Sequence, residues 1–370
     1  MNSVLAAFFT LSILTLTSPS IAATEVDKQA FKVSYSQYKN CIKNKPSCVK
    51  SSRTAFEAGL KIFDKNSKNL AALHYNFGRQ VLKHGGKNRE ERAYAILQAA
   101  LPVNEQAFGK NSIQVLALLV DLTDAQKYLK YEDKNRYAYW KRAVKLSKKL
   151  NGDNTLEHAI VLSDISSFLL HGFGYSSRTA KKYLDKSYEI FKTVLDEDDI
   201  RIAYSAFNLG KYKVSGRHFK EAIPYLESAL AIYEKNLFSR RLEKTTRAFL
   251  VQAYEEIGER EKATEHILVI GSISEINNVD QYFPVYKKRA KYPENALKDE
   301  KEGFAIVEFT VNRKGLIEDV EVVKYGGSYA FAKAAVKSIK HYRYAPRFVD
   351  GKAVKTTNVR QRIDFIIRNN

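Results

Sequence analysis

Two cysteines and seven histidines are the groups in this 370-residue chain best suited to covalent or metal chemistry. Cys41 and Cys48 are separated by Ile42-Lys43-Asn44-Lys45-Pro46-Ser47, close enough to pair in an oxidising compartment. Pro46 predicts a corner between two helices, with one cysteine ending the first and the other starting the second. A disulfide there would close a short loop and contribute about 2–3 kcal/mol, mostly by restricting the unfolded chain. The alternative is two independent buried thiols. A metal site fits less well, because no nearby His or Cys completes a tetrahedron. The histidines are scattered, with none in a metal-spaced pair or beside an acid in a recognisable motif. A phosphate-cradling glycine loop, a nucleophile elbow and an HExxH pattern are all missing from the sequence. These features predict no catalytic residues, no metal and no cofactor, and leave binding through surfaces as the expected activity.

The elements that carry such surfaces follow from patterning. At 370 residues the chain has room for two or three domains with real cores. The net charge of +20 suggests an anionic neighbour such as lipopolysaccharide, a phospholipid headgroup or a peptidoglycan acid. The lysines are spread along helical faces, however, and no Arg-rich block or RNA-binding signature occurs, so nucleic acid is not an expected partner.

The clearest stretch is 292–367. Phe304-Ala305-Ile306-Val307-Glu308-Phe309-Thr310-Val311 alternates as a half-buried strand must, and Asn312-Arg313-Lys314-Gly315 supplies hairpin chemistry. A second alternating run, Asp319-Val320-Glu321-Val322-Val323, follows, and Gly326-Gly327-Ser328 breaks it with Ser328 offered as an N-cap. Phe331, Ala335, Ile339 and Tyr342 then mark one helical face, and Pro346 ends the helical region. After a turn at Asp350-Gly351, Val359, Gln361, Ile363, Phe365 and Ile367 alternate with Arg360, Arg362 and Asp364. The pattern predicts a β-β-α-β unit, three strands backed by one helix.

Tyr292-Pro293 with Ala296, Gly303, Val307, Phe309, Val311, Gly315, Val320 and Val322 stand here in an ordered series. It continues through Phe331, Ala334-Ala335-Val336, Tyr342-Arg343-Tyr344-Ala345-Pro346, Asp350-Gly351, Val354 and Phe365. In order and spacing this stretch, about a fifth of the chain, resembles the TonB C-terminal domain family. It departs from many members at Tyr325-Gly326-Gly327, where they carry a serine-rich turn. The resemblance implies capture of an extended peptide of an outer-membrane transporter, added as a strand to an open sheet edge. By position that edge is Asn358, Val359, Arg360, Gln361, Arg362, Ile363 and Asp364, with binding mainly through backbone and side chains such as Arg360 and Arg362. Arg289 and Lys291 resemble the segment that also contacts the transporter. Tyr292, Phe309 and Phe365 are expected in the core.

Between about Phe31 and Ser274 helix-period runs of 12–20 residues alternate with Gly, Asn or Asp punctuation. The best-defined units are Asn208-Leu209-Gly210 with Ala222, Tyr225 and Ala229-Leu230, and Tyr254 with Gly258 and Ala263. They resemble tetratricopeptide (TPR) repeats; fainter units cover 71–109, 112–152 and 156–196. Gly78, Ala95, Ala99 and Ala143 stand where small residues are wanted, and Tyr94, Tyr139, Tyr183, Tyr188 and Tyr225 are expected to pack between helices. The expectation is five or six hairpins stacked as a right-handed solenoid, with an ordinary bundle as the alternative for the N-terminal part. A groove on such an array would hold a peptide or partner protein, with Asn76, Arg201, Asn208 and Lys211 as candidate lining residues.

Residues 1–23 resemble a secretory signal. Val4–Leu16 is an apolar core too short to span a bilayer comfortably, and Ser20-Ile21-Ala22 or Ile21-Ala22-Ala23 offers a cleavage site. No Lys or Arg precedes the core, and no cysteine stands at the cleavage site for a lipid anchor. The expected organisation is a leader (1–23), an all-α TPR-like solenoid (24–274), a short, partly packed linker (275–291) and a small α+β TonB C-terminal-like domain (292–370). A TonB energy transducer keeps an anchoring helix with a polar residue for its motor and carries a Pro-rich spacer. Here residues 1–23 hold no His or charged side chain, and only 7 prolines occur in the chain. The leading expectation is a periplasmic adaptor, with a TPR array binding an unidentified partner and a C-terminal sheet engaging a TonB-dependent transporter. The alternatives are an inner-membrane-anchored energy transducer working with an ExbB/ExbD-like motor, or an envelope scaffold whose C-terminal domain dimerises.

Overall fold

The computed structural model describes residues 23–44, 47–129, 138–172, 178–274 and 282–367. The expected leader, apart from Ala23, lies outside the described residues, as do Pro46 and positions 275–281 of the expected linker. The contacts divide the chain into two compact units, Met1–Glu197 and Asp198–Asn370.

In the first unit the described helices are α1 (Glu25–Asn44), α2 (Val49–Ile62), α3 (Lys68–His84), α4 (Arg89–Phe108), α5 (Ile113–Ala125), α6 (Ala138–Asn151), α7 (Leu156–Gly172) and α8 (Arg178–Val194). They pack as successive pairs, α1 with α2 through to α7 with α8. Each pair leaves apolar surface that the next must cover. Helix α5 shows the result, with every residue from Val115 to Thr123 buried. Aromatic rings bridge one pair to the next: Tyr94 of α4 meets Tyr139 of α6 at 6.4 Å, and Trp140 meets Tyr183 of α8 at 6.3 Å, both edge-on. A disulfide joins Cys41 on α1 to Cys48, which precedes α2, with the Cα atoms 5.8 Å apart.

Two helix starts in this unit, those of α3 and α5, carry side-chain caps. The Ser67 hydroxyl accepts from the Leu70 N–H at 3.2 Å, and Ser112 accepts from Val115 at 3.3 Å. Each satisfies a donor that the first helical turn leaves without a partner. Ser67→Ala is expected to cost about 1 kcal/mol. Thermal unfolding should register this as a fall of about 2–4 °C in the first unit's midpoint; an unchanged midpoint would assign the cap no energetic role.

The second unit opens with α9 (Ile200–Ser215), α10 (Phe219–Glu234), α11 (Arg240–Ile257) and α12 (Arg260–Ser272). The small residue expected at Gly210 sits against α10: a Cβ there would lie 2.6 Å from Leu226. The remaining elements are β1 (Pro284–Tyr286), α13 (Glu294–Lys298), β2 (Gly303–Val311), β3 (Ile317–Gly326), α14 (Tyr329–Ile339), β4 (Arg343–Tyr344), β5 (Arg347–Val349), β6 (Lys352–Val354) and β7 (Thr356–Phe365).

The three strands expected from alternation form one antiparallel sheet in the order β3-β2-β7, with α14 packed on β2 and β3. At the hairpin, Asn312 Oδ1 accepts from the N–H groups of Lys314 and Leu316, and Gly315 takes the positive φ that the turn requires. Ser328 caps α14 by accepting from the Ala330 N–H. Ala305, Val307, Phe309 and Val311 of β2 meet Phe331, Ala335 and Ile339 of α14, with Val359 and Phe365 of β7 closing the core. Tyr292 packs edge-on against both Phe331 and Phe365 at 5.6 Å.

Within 282–291, Tyr282 joins this core and Ala290 packs against it, while Phe283, Lys287, Lys288 and Arg289 are exposed. Tyr282 and Tyr286 are buried, and β1 pairs with β4 in a small second sheet. A third pairing, β5 with β6, turns at Asp350-Gly351, both with positive φ.

Candidate strand-addition edge

A three-stranded sheet has two outer strands, here β3 and β7. Their irregularities distinguish them. The β2–β3 register shifts twice, between Ile306 and Val307 and between Glu308 and Thr310, and Asp319 adopts φ 53° near the second shift. Each shift twists the strand and breaks the even row of outward N–H and C=O groups, a known way of blunting an edge. Glu318, Asp319 and Glu321 add negative charge along the same strand.

Strand β7 runs without a shift from Val359, opposite Phe309, to Phe365, opposite Gly303. Its irregularity falls at one end, between the partners of Phe309 and Val311, where Asn358 takes φ 58°. Seven consecutive residues therefore present a regular ladder. Among the described residues β7 is paired on its β2 side only.

The candidate side chains divide by face. Val359 is 2 % exposed and lies in the core, and Ile363 packs partly buried against the same cluster, so both contribute backbone alone to the edge. Arg360, Arg362 and Asp364 are exposed and already engaged within the sheet. Arg360 Nε lies 2.6 Å from Glu308 Oε2. The Arg362 guanidinium stacks 3.8 Å from the Phe304 ring centroid and pairs with Asp364 at 2.7 Å. The Gln361 amide donates to the Arg362 carbonyl at 2.8 Å. Arg289 is exposed, and Lys291 pairs with Glu294 at 3.0 Å on a fully solvated surface.

Of the groove candidates, Asn76 lies on α3 in the first unit, and Arg201, Asn208 and Lys211 all lie on α9 in the second. Asp199 accepts from the Arg201 guanidinium at 2.9 and 2.6 Å, and its Oδ1 also accepts from the Arg201 backbone N–H at 2.9 Å, which caps α9. Asn208 is buried and donates to the Tyr204 carbonyl one turn back. The Lys211 ammonium stands over the rings of Phe207 and Phe249 at 5.2 and 5.8 Å.

Residues 288–367 match the family model of the Gram-negative bacterial TonB protein C-terminal. The TonB C-terminal region so matched contains the whole three-stranded sheet and α14. Residues 178–235 match a tetratricopeptide repeat model, which covers α8 to α10. Both are families of protein-interaction modules without catalytic function, and the first belongs to the Gram-negative cell envelope.

Similar solved structures include a kinesin light chain with nearly identical TPR-like repeats from Podosopora anserina, at 16 % identity and TM-score 0.44, covering 53 % of this chain and 91 % of that one. BtubC (BKLC) from P. vanneervenii is similar at 15 % identity and TM-score 0.45, covering 73 % of this chain and 98 % of that one. Comparison with curated proteins gave no match. Among the described residues no helix is long and apolar enough to cross a membrane.

Sequence reasoning missed a contact beside the TonB C-terminal signature. Arg343, the central residue of Tyr342-Arg343-Tyr344, reaches out of its own domain to Glu255 on α11, with Nε 2.8 Å from Oε1. The two side chains are 3 % and 7 % exposed. Arg343 Nη2 donates to the Thr264 hydroxyl at 2.5 Å and to the Arg260 carbonyl at 3.2 Å. Burial pushes the Glu255 carboxyl up from its ordinary range, with Arg343 opposing, and pushes the Arg343 guanidinium down. The aromatic-Arg-aromatic run was a visible signal; its acidic partner 88 positions upstream carried none.

Proposed function

We propose that this chain is a periplasmic TonB-like adaptor that captures an extended peptide along β7 while its TPR helices hold a second protein. The observation that carries the reading is the contrast between the two edges, seven unshifted residues on β7 against two register shifts on β3. A strand added along Val359–Phe365 gains a row of backbone bonds from groups already held in register. Arg360 and Arg362 flank that row, and an acidic side chain on the incoming strand can exchange with Glu308 or Asp364 as their ion-pair partner. The expected occupant is a segment of an outer-membrane TonB-dependent transporter, and the chain works without catalysis, cofactor or metal.

Proline at neighbouring positions of β7 tests this. Successive residues on a strand point their N–H groups to opposite sides, so one of Gln361 and Arg362 donates to β2 and the other faces outward. Gln361→Pro and Arg362→Pro are compared for folding by circular dichroism and for binding of a synthetic extended peptide copied from such a transporter. The outward variant should keep its fold and lose peptide binding by at least tenfold. A folded proline variant at each position with unchanged affinity would remove β7 as the binding edge. Val323→Pro, on the bulged strand, should bind as the unaltered chain does.

A further inference from the structure

Repeat arrays need a terminal element, because the last hairpin exposes the apolar face that a following repeat would cover. We infer that the TonB C-terminal region is that cap, and that the Arg343–Glu255 clasp makes the cap and the last helical hairpin one cooperative unit.

The seam is built at close range. A Cβ at Gly271 of α12 would lie 2.5 Å from the Pro346 carbonyl oxygen and 2.9 Å from the Phe348 ring. A Cβ at Gly315, in the β2–β3 turn, would lie 2.1 Å from the Tyr344 carbonyl oxygen and 2.7 Å from Ile267 of α12. Glycine at both points lets backbone approach α12, and the Tyr344 N–H donates to the Gly315 carbonyl at 3.1 Å. The Tyr286 hydroxyl donates to Glu256 at 2.8 Å, beside the clasp. Polar groups buried as deeply as Arg343 and Glu255 stay charged at tolerable cost only while they face each other. Separating cap from helices would strand both.

The clasp also reaches the sheet. Arg343 and Tyr344 form β4, the Tyr344 ring stands 5.6 Å from Phe309 of β2, and Phe309 is paired with Val359 of β7. A chain of contacts therefore runs from β7 through Phe309, Tyr344 and Arg343 to α11. This arrangement is independent of which molecule occupies β7.

Amide hydrogen exchange on the full chain, with its disulfide intact, provides the test. In Arg343→Ala, exchange should accelerate by the same factor in α11, α12 and β2, on the order of a hundredfold or more. Tyr286→Phe, a milder change on the same seam, should accelerate both sides on the order of fivefold. The paired replacement Glu255→Leu with Arg343→Met removes both charges and should restore protection to both sides, also where Arg343→Ala alone leaves the second unit unfolded. Acceleration confined to residues 282–367, with α11 and α12 unchanged, would overturn the proposal, as would unchanged exchange on both sides.

Discussion

Replacing Phe309 with alanine is expected to cost about 3–5 kcal/mol. Its side chain is 2 % exposed and lies on the central strand, between the two outer ones. The ring touches the Tyr344 ring at 5.6 Å and shares a cluster with Phe331, Val359 and Ile339. The cavity left by truncation has walls fixed by three elements, so it cannot close by moving one side chain. Denaturant unfolding followed through the sheet should show the loss as a lower midpoint with an unchanged slope. Phe309→Leu should lose less than half as much. A cost below about 1 kcal/mol for the alanine variant would mean that the core collapses around the gap, contrary to the packing described.

The second large effect is a loss of stability on mild acidification, centred on His266. Its ring stacks on Tyr254 at 5.8 Å, and Nδ1 lies 3.2 Å from Arg247 Nη1. An arginine can only donate, so Nδ1 accepts and the ring is neutral. Burial, and then the charge of Arg247, push the His266 pKa down to about 4. Unfolded, the same ring takes a proton near pH 6.5. Between those values the unfolded chain binds a proton that the folded chain refuses. The stability from this site is therefore complete above pH 6.5 and lost as the pH falls toward about 4. For a partly exposed ring the loss comes to about 2–3 kcal/mol. His266→Gln should flatten the fall in stability over that window, and the ring's own NMR titration should show a midpoint near 4. A midpoint near 6.5 would remove the effect.

The parts of the fold legible in sequence were those with a local period. Alternation around Phe309, the Asn312–Gly315 tetrad, Ser328 and the Phe331-Ala335-Ile339 stripe each report on neighbours within a few positions, and the sheet and helix follow them. The helical hairpins were legible for the same reason. Tyr282 and Tyr286 were not, because isolated aromatics in a stretch of prolines and lysines have no period. The shifts at Asp319 and Asn358 escaped notice as well, since a single residue in the left-handed region leaves an alternating pattern nearly intact. Val359 was included among the binding candidates, and its side chain belongs to the core. Its backbone, which no sequence pattern separates from its side chain, is what faces the edge.

The bulges on β3 limit how many chains can join at once. A sheet with two open edges can propagate, each added strand offering the next, and so leads to fibres. With one edge spoiled, the sheet has a valency of one. Two copies meeting through β7 would form a closed, two-fold pair and leave no free ladder for a peptide. If β7 served both, self-association and capture would be mutually exclusive, and raising the chain's own concentration would weaken peptide binding.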